Sequence, residues 1–236
     1  MKRRLEDEGV GRGHEILSTK VCALFKPRPM ITDLTKGPMG DLTRRMCLEA
    51  PPKPVGQLDR CTTGLMIFTL DGQLTHHLNS HVSKTYRAWY EGWRCTSSGR
   101  TAGELTDAEV QRLKEGVELS REDGFAAFQD VERRGGVQQK SVKSKSGEEI
   151  EKFQYSADVR IKCGKFHVVK RLFMSVGKSV VRLQRLAIGG LSLDDCFLDT
   201  PGDFKELSAE QIQALKNEAP SPCVLERVTA CPSGSG

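Results

Sequence analysis

Val55-Gly56-Gln57-Leu58-Asp59-Arg60-Cys61-Thr62-Thr63-Gly64-Leu65-Met66-Ile67-Phe68-Thr69-Leu70-Asp71-Gly72 sets one carboxylate, Asp59, in a Gly- and Thr-rich turn and follows it with an apolar run. The run from Leu65 to Leu70 is short, rich in large apolar side chains and bounded by turn residues, which predicts a buried strand. An aspartate placed just before such a strand stands on a rigid support, and that suits a nucleophile or a charge anchor. On spacing alone, a turn former that hydrogen-bonds local amides is the plainer reading of Asp59.

Outward from this stretch the chain is punctuated by turn residues and charge. Residues 1–20 are polar and irregular, a short extension. Val21 to Phe25 is a short apolar strand, ended by Lys26-Pro27-Arg28-Pro29, where two prolines forbid a helix or a central ladder. Thr35 to Met39 contains Gly-Pro and predicts a loop. Gln73 to Asn79 predicts a short helix, and Thr85 to Gly92 a strand with aromatic residues in alternation. Thr106-Asp107-Ala108-Glu109 opens like a capping box, and Val110, Leu113 and Val117 continue it as a helix. Residues 133–152 are charged, Gly/Ser/Gln-rich and nearly free of large apolar side chains, which predicts a flexible insertion between two strands. Ala157 to Cys163 predicts a strand, His167 to Val176 a helix, Val180 to Ile188 a strand and Ser208 to Asn217 a capped helix. Residues 219–236 have the composition of a disordered tail.

The chain has 236 residues, enough for a real core in one or two domains. Lys and Arg total 36 against 31 Asp and Glu, a mild excess of +5 that is compatible with a polyanionic partner without requiring one. No apolar run approaches the roughly 20 residues of a membrane-spanning helix. Met1-Lys2-Arg3-Arg4 runs straight into Glu6, Asp7 and Glu8, which fits neither a secretory signal nor an acid-poor transit peptide. The eight scattered cysteines form no C-x-x-C pair and favour reduced thiols over a disulfide framework. His76, His77 and His81 make a poor template for tetrahedral zinc, so no metal is expected.

Leu58-Asp59, Thr62, Gly64-Leu65 and Thr69-x-Asp71-Gly72 resemble the signature motif of the RNA pseudouridine synthases, in particular the A-type branch that acts on small-subunit ribosomal RNA. Further matches follow in the family's order: Lys84-Thr85-Tyr86, Leu113-x-x-Gly116-Val117, Gly164-Lys165-Phe166-His167-x-Val169-Lys170-Arg171-x-Phe173, Val176-Gly177 and Ile188-Gly189-Gly190-Leu191-Ser192-Leu193. Pro201-Gly202 and Glu206-Leu207-Ser208 complete the set, so the resemblance runs from Val21 to Leu215.

The resemblance implies an α+β fold, a mixed and largely antiparallel central sheet with flanking helices, formed by a catalytic domain over residues 21–218. It implies isomerisation of a uridine in ribosomal RNA, or in a pre-ribosomal particle, by a monomer that needs no cofactor. The expected compartment is cytoplasmic, or organellar (plastid or mitochondrion) if the source is eukaryotic, and not secreted. By residue, Asp59 is the essential carboxylate, Lys170 its cationic partner, and Tyr86 the ring that stacks on the target uracil. Stacking on an unpaired base is worth about 1–3 kcal/mol. Gln57, Arg60, Lys84, Lys165, His167, Arg171 and Arg185 are the RNA-binding candidates, mostly toward phosphate. The chain departs from the family pattern at Gln57, where an arginine is usual, at Val168 in place of a glutamine, at Phe25 in place of an asparagine and at Pro29 in place of a glycine. Family members usually carry a small RNA-binding domain ahead of the catalytic one, where this chain has residues 1–20. Two readings follow: an active synthase, or a catalytically weak RNA-binding or ribosome-assembly protein that keeps the fold.

Overall fold

The computed structural model describes residues 21–34, 37–45, 52–95, 97, 101–120, 123–145, 147 and 149–217. In chain order they form β1 (Val21–Lys26), α1 (Gly37–Arg45), β2 (Lys53–Pro54), β3 (Thr62–Thr69), α2 (Gly72–Ser80), β4 (Lys84–Cys95), β5 (Thr101–Ala102), α3 (Asp107–Glu115), β6 (Val117–Ser120) and β7 (Gly124–Ala126). There follow β8 (Asp130–Lys143), β9 (Glu149–Ile161), α4 (Val168–Ser175), β10 (Val180–Ile188), β11 (Leu191–Ser192), β12 (Phe204–Glu206) and α5 (Ala209–Lys216). The architecture is α+β. The main sheet has the order β12-β1-β3-β10-β4-β9-β8, and β6 pairs with β7 apart from it. Every pairing along that order is antiparallel except β3 with β10, which is parallel.

Side chains alternate across a strand, and here both faces of β1 and β3 are covered, which is why neither strand reads as alternating. Val21, Ala23, Phe25, Leu65 and Ile67 pack with Leu74 and Leu78 of α2 and Leu215 of α5. On the opposite face Cys22, Leu24, Met66 and Phe68 pack with Met39 of α1 and with Leu58, the residue before Asp59. A separate core joins Ala88 and Tyr90 of β4, Tyr155, Ala157 and Val159 of β9, and the buried stripe Val168, Val169, Leu172 and Phe173 of α4. The helices start where local chemistry directs. Asp71 accepts from the amides of Gln73 and Leu74 to begin α2, and complete capping boxes at Thr106/Glu109 and Ser208/Gln211 begin α3 and α5.

Two expectations are corrected. The loop expected at Thr35 to Met39 gives way, from Gly37, to helix α1. Pro38 lies in its first turn, where a missing N–H costs nothing, and Met39 is anchored in the core. The flexible insertion expected at residues 133–152 is a paired hairpin: β8 and β9 are in register from Asp130↔Arg160 to Lys143↔Glu149, with two bulges. Composition misled because β9 is already pinned to β4 along its whole length, Lys84↔Ile161 to Cys95↔Ile150, and offers a ready ladder to β8. Residues 1–20 and the tail at 219–236 lie outside the described residues, and among those residues no helix is long and apolar enough to cross a membrane.

Candidate active site

Asp59 sits in the turn that enters β3, and that turn is fastened from several sides. The Thr62 amide donates to the Asp59 carbonyl at 3.0 Å, the Met30 amide to the Arg60 carbonyl at 3.0 Å, and the Thr32 hydroxyl to the Leu58 carbonyl at 3.0 Å. The fully buried ammonium of Lys26, at the end of β1, donates to the carbonyls of Asp59 at 3.1 Å, Thr62 at 2.9 Å and Pro27 at 3.3 Å. Burial lowers its pKa to about 8, against the opposing pull of the Asp59 charge. Lys26 was absent from the sequence candidates. Its signal was a lysine closing an otherwise apolar strand, read there only as a stop.

The carboxylate itself is gripped by α4 and its cap. Lys170 Nζ donates to Asp59 Oδ2 at 2.6 Å, and His167 Nε2 lies 3.1 Å from Oδ1. These two residues are three apart, so one face of the helix start presents both to one carboxylate. The Thr62 hydroxyl reaches Oδ2 only at 3.5 Å, too long to weigh much. His167 is left-handed, with φ 51°, and caps α4 without a side-chain bond to the helix, which frees its imidazole for Asp59. The expected phosphate contact of His167 is thus replaced by a carboxylate contact. The exposed Phe166 ring stacks on that imidazole, with centroids 3.7 Å apart.

Asp59 stands where two cavities meet. One, of about 330 Å³, is lined by Gly56, Asp59, Asn79, Tyr86, Leu183 and Arg185 among others. The other, of about 540 Å³, runs past Ile31, Thr32, Arg60, Lys165 and Phe166. Tyr86 is half-buried on β4, directly across from Arg185 on β10. Gln57 and Arg60 are exposed at the rim, Gln57 bordering both cavities and Arg60 the second. Asp59, Tyr86 and Lys170 are therefore brought together as expected from the motifs.

Other candidates are spent differently. Lys84 is buried and donates to the carbonyls of Leu78 at 2.7 Å, Asn79 at 3.0 Å and Val82 at 2.7 Å, closing the end of α2; a phosphate contact is corrected to this structural role. Arg171 pairs with Asp123 at 2.6 Å, and that guanidinium lowers the pKa of the Asp123 carboxyl. Lys165 donates to the Phe125 carbonyl at 2.7 Å, so Lys165 and Arg171 tie the site loop to the β6–β7 hairpin. Arg185 is only 1% exposed, a pocket wall instead of a surface cation. Asn79 and Cys163 also line the smaller cavity and had drawn no notice in the sequence, because nothing local marks either one.

Residues 26–175 match the family described as RNA pseudouridylate synthase. An uncharacterized RNA pseudouridine synthase, YtzG, of Bacillus subtilis is 33% identical over 70% of this chain and 58% of its own length. Ribosomal large subunit pseudouridine synthase B of Vibrio cholerae is 31% identical over 87% of this chain and 57% of its own. Ribosomal small subunit pseudouridine synthase A of Yersinia pestis is 31% identical over 68% and 56%. The chain thus spans less than three-fifths of each of these relatives. A crystal structure of a pseudouridylate synthase superposes with a TM-score of 0.59 at 24% identity, covering 84% of this chain and 74% of that one, and so shares the fold.

Proposed function

The chain belongs to the RNA pseudouridylate synthase family, and from that premise we propose that it isomerises a uridine of ribosomal RNA to pseudouridine, with Asp59 as the essential group. Relatives named for both ribosomal subunits support ribosomal RNA as the substrate class. The small subunit is the first place to look, on the wording of Ile188-Gly189-Gly190-Leu191-Ser192-Leu193.

The observation that carries the reading is the setting of Asp59, hydrogen-bonded by Lys170 at one oxygen and with His167 Nε2 3.1 Å from the other, at a cavity of about 330 Å³ that Tyr86 also lines. Lys170, at 2.6 Å, supplies a charge-assisted hydrogen bond that orients the carboxylate. That carboxylate either attacks the sugar carbon or takes a sugar proton, and both acts require the charge. Tyr86 offers a face on which an extruded uracil can stack. The glutamine at position 57 leaves this arrangement untouched, because it is exposed at the rim while α4 holds the carboxylate.

The test is to map pseudouridines in both ribosomal RNAs by carbodiimide chemistry, with and without the protein. A site should vanish without it, return with wild type and stay absent with Asp59→Asn, while RNA binding by that variant persists through phosphate contacts. Full restoration by Asp59→Asn would overturn the assignment in favour of the binding-protein reading.

A further inference from the structure

Arg185 is 1% exposed, and its guanidinium is barely occupied by the protein. Nε donates to the Leu65 carbonyl at 2.7 Å, while Nη2 is buried with no hydrogen-bond partner at all. The protein leaves this cationic head under-satisfied, which is expensive, and although Nη2 is enclosed, Nη1 lies at the Gly56 corner of the cavity wall, where a ligand can approach it. Arg185 borders the same cavity as Asp59 and Tyr86. The backbone has been shaped around it. Gly64 has φ 119°, and a Cβ there would collide with the Arg185 backbone, so glycine lets β3 run close enough to seat this residue. Gly56, with φ 66°, leaves a corner of the cavity clear: a Cβ there would lie 3.6 Å from Arg185 Nη1 and 3.5 Å from the Asn79 side-chain oxygen.

We propose that Arg185, with Asn79 beside it, receives the Watson–Crick edge of the target uracil and carries the negative charge of the base while it is detached from the sugar. This rests on the synthase reading above. Cleavage breaks the C1′–N1 bond and leaves its electron pair on the base, an anion whose charge is shared among N1, O2 and O4. The open valence at C1′ is met by Asp59, or the C2′ proton passes to Asp59. Religation joins C5 to C1′ and releases Asp59, or returns the proton to C2′. The C5 proton departs to solvent and N1 takes one up, so the reaction consumes nothing.

The geometry of the base explains why a fixed arginine serves both halves of this cycle. Half a turn about the axis through N3 and C6 exchanges N1 with C5 and O2 with O4. A donor beside the base therefore meets a carbonyl oxygen before the turn and after it. Cytosine carries an amino group at C4 and would confront Arg185 with a second donor in one of the two orientations. Uridine selectivity and stabilisation of the free base thus come from the same buried guanidinium, acting in a desolvated pocket where such donors count most.

The experiment uses single-turnover reactions on ribosomal RNA transcripts carrying uridine or 5-fluorouridine, with nucleoside consumption read by mass spectrometry after digestion. Arg185→Gln should slow uridine consumption by about 10²-fold, the usual cost of losing one charge-stabilising donor. RNA affinity should stay near wild type. Fluorine withdraws charge from the leaving base, so the deficit should be about tenfold smaller with 5-fluorouridine. Should Arg185→Gln fail to fold, Asn79→Asp decides. Its carboxylate would engage Arg185 and repel the anion, slowing uridine while leaving the fold and RNA binding intact. Equal deficits on both substrates, or a wild-type rate in either variant, overturn the proposal and leave the synthase reading standing. A wild-type protein that consumes no uridine removes that reading and this one together.

Discussion

At Lys26 the chain buries an ammonium among three carbonyl oxygens in order to fix the loop that presents Asp59. The burden is visible as a pKa lowered to about 8 by burial, from the ordinary 10.5. Between those values the unfolded chain binds the proton more tightly than the folded one, so stability contributed by this group rises as pH climbs from about 8 toward 10.5. Below that window the buried charge weighs on the fold in full. Urea unfolding of wild type and Lys26→Met across this range should show the rise in the first and its absence in the second. Parallel pH curves would mean the Lys26 ammonium is as well solvated in the cage as in water. Lys26→Met should also loosen the Asp59 turn and slow turnover, since two of that turn's fastenings, at the Asp59 and Thr62 carbonyls, are lost at once.

Among elements, the β8–β9 hairpin shows best how tertiary context overrides composition. Taken alone, the segment from Arg133 to Lys152 lacks the apolar surface to order itself. Yet the Tyr155 ring stacks between Tyr90 at 6.0 Å and Phe153 at 5.8 Å, over room left by Gly92 and Gly136. The buried Asp158 carboxylate takes Arg87 Nε at 2.6 Å and Arg134 Nε at 2.9 Å, joining β4, β9 and β8. Hydrogen exchange should therefore find the amides of residues 150–152, inside the segment read as flexible and paired on both sides, protected by at least about 10²-fold. Protection near that of a free peptide would restore the flexible insertion. Helix α4 is the opposite case. Its position and its apolar stripe were legible from period alone, and its two carboxylate-holding residues follow from being three apart on one face.

Among the described residues the packing on both faces of β1 and β3 meets the core of β4, β9 and α4 along one parallel strand pair, β3 with β10, and the site lies at that seam. Asp59 arrives from the first side, at the entry to β3. Tyr86, His167 and Lys170 arrive from the second, and Arg185 stands on the seam itself. Anything that parts β3 from β10 should thus disable the site and the fold together. Gly64→Ala is the sharpest such change, because the added methyl meets Arg185 backbone that cannot swing away, at a φ that disfavours alanine. We expect a loss of stability of at least about 3 kcal/mol, at the high end for a single substitution. A denaturation midpoint close to wild type would show that the two halves can slide without harm.

The sequence by itself determined strands β1 and β3, the capped helices and the motif residues Asp59, Tyr86 and Lys170. Each of these is written in local signals, such as apolar runs, caps, turn residues and short spacings, or in motif order. What only the tertiary structure decided is how the cations were shared out. Arg185, Lys84, His167 and Lys26 look alike in a sequence, as basic residues near a motif. One walls a cavity, one closes a helix, one lies against the Asp59 carboxylate and one cages its loop. The reason is that a long charged side chain takes its role from whatever acceptors come within reach of its tip. Those acceptors lie 33 residues away for Lys26 and 120 for Arg185, and only packing brings them near.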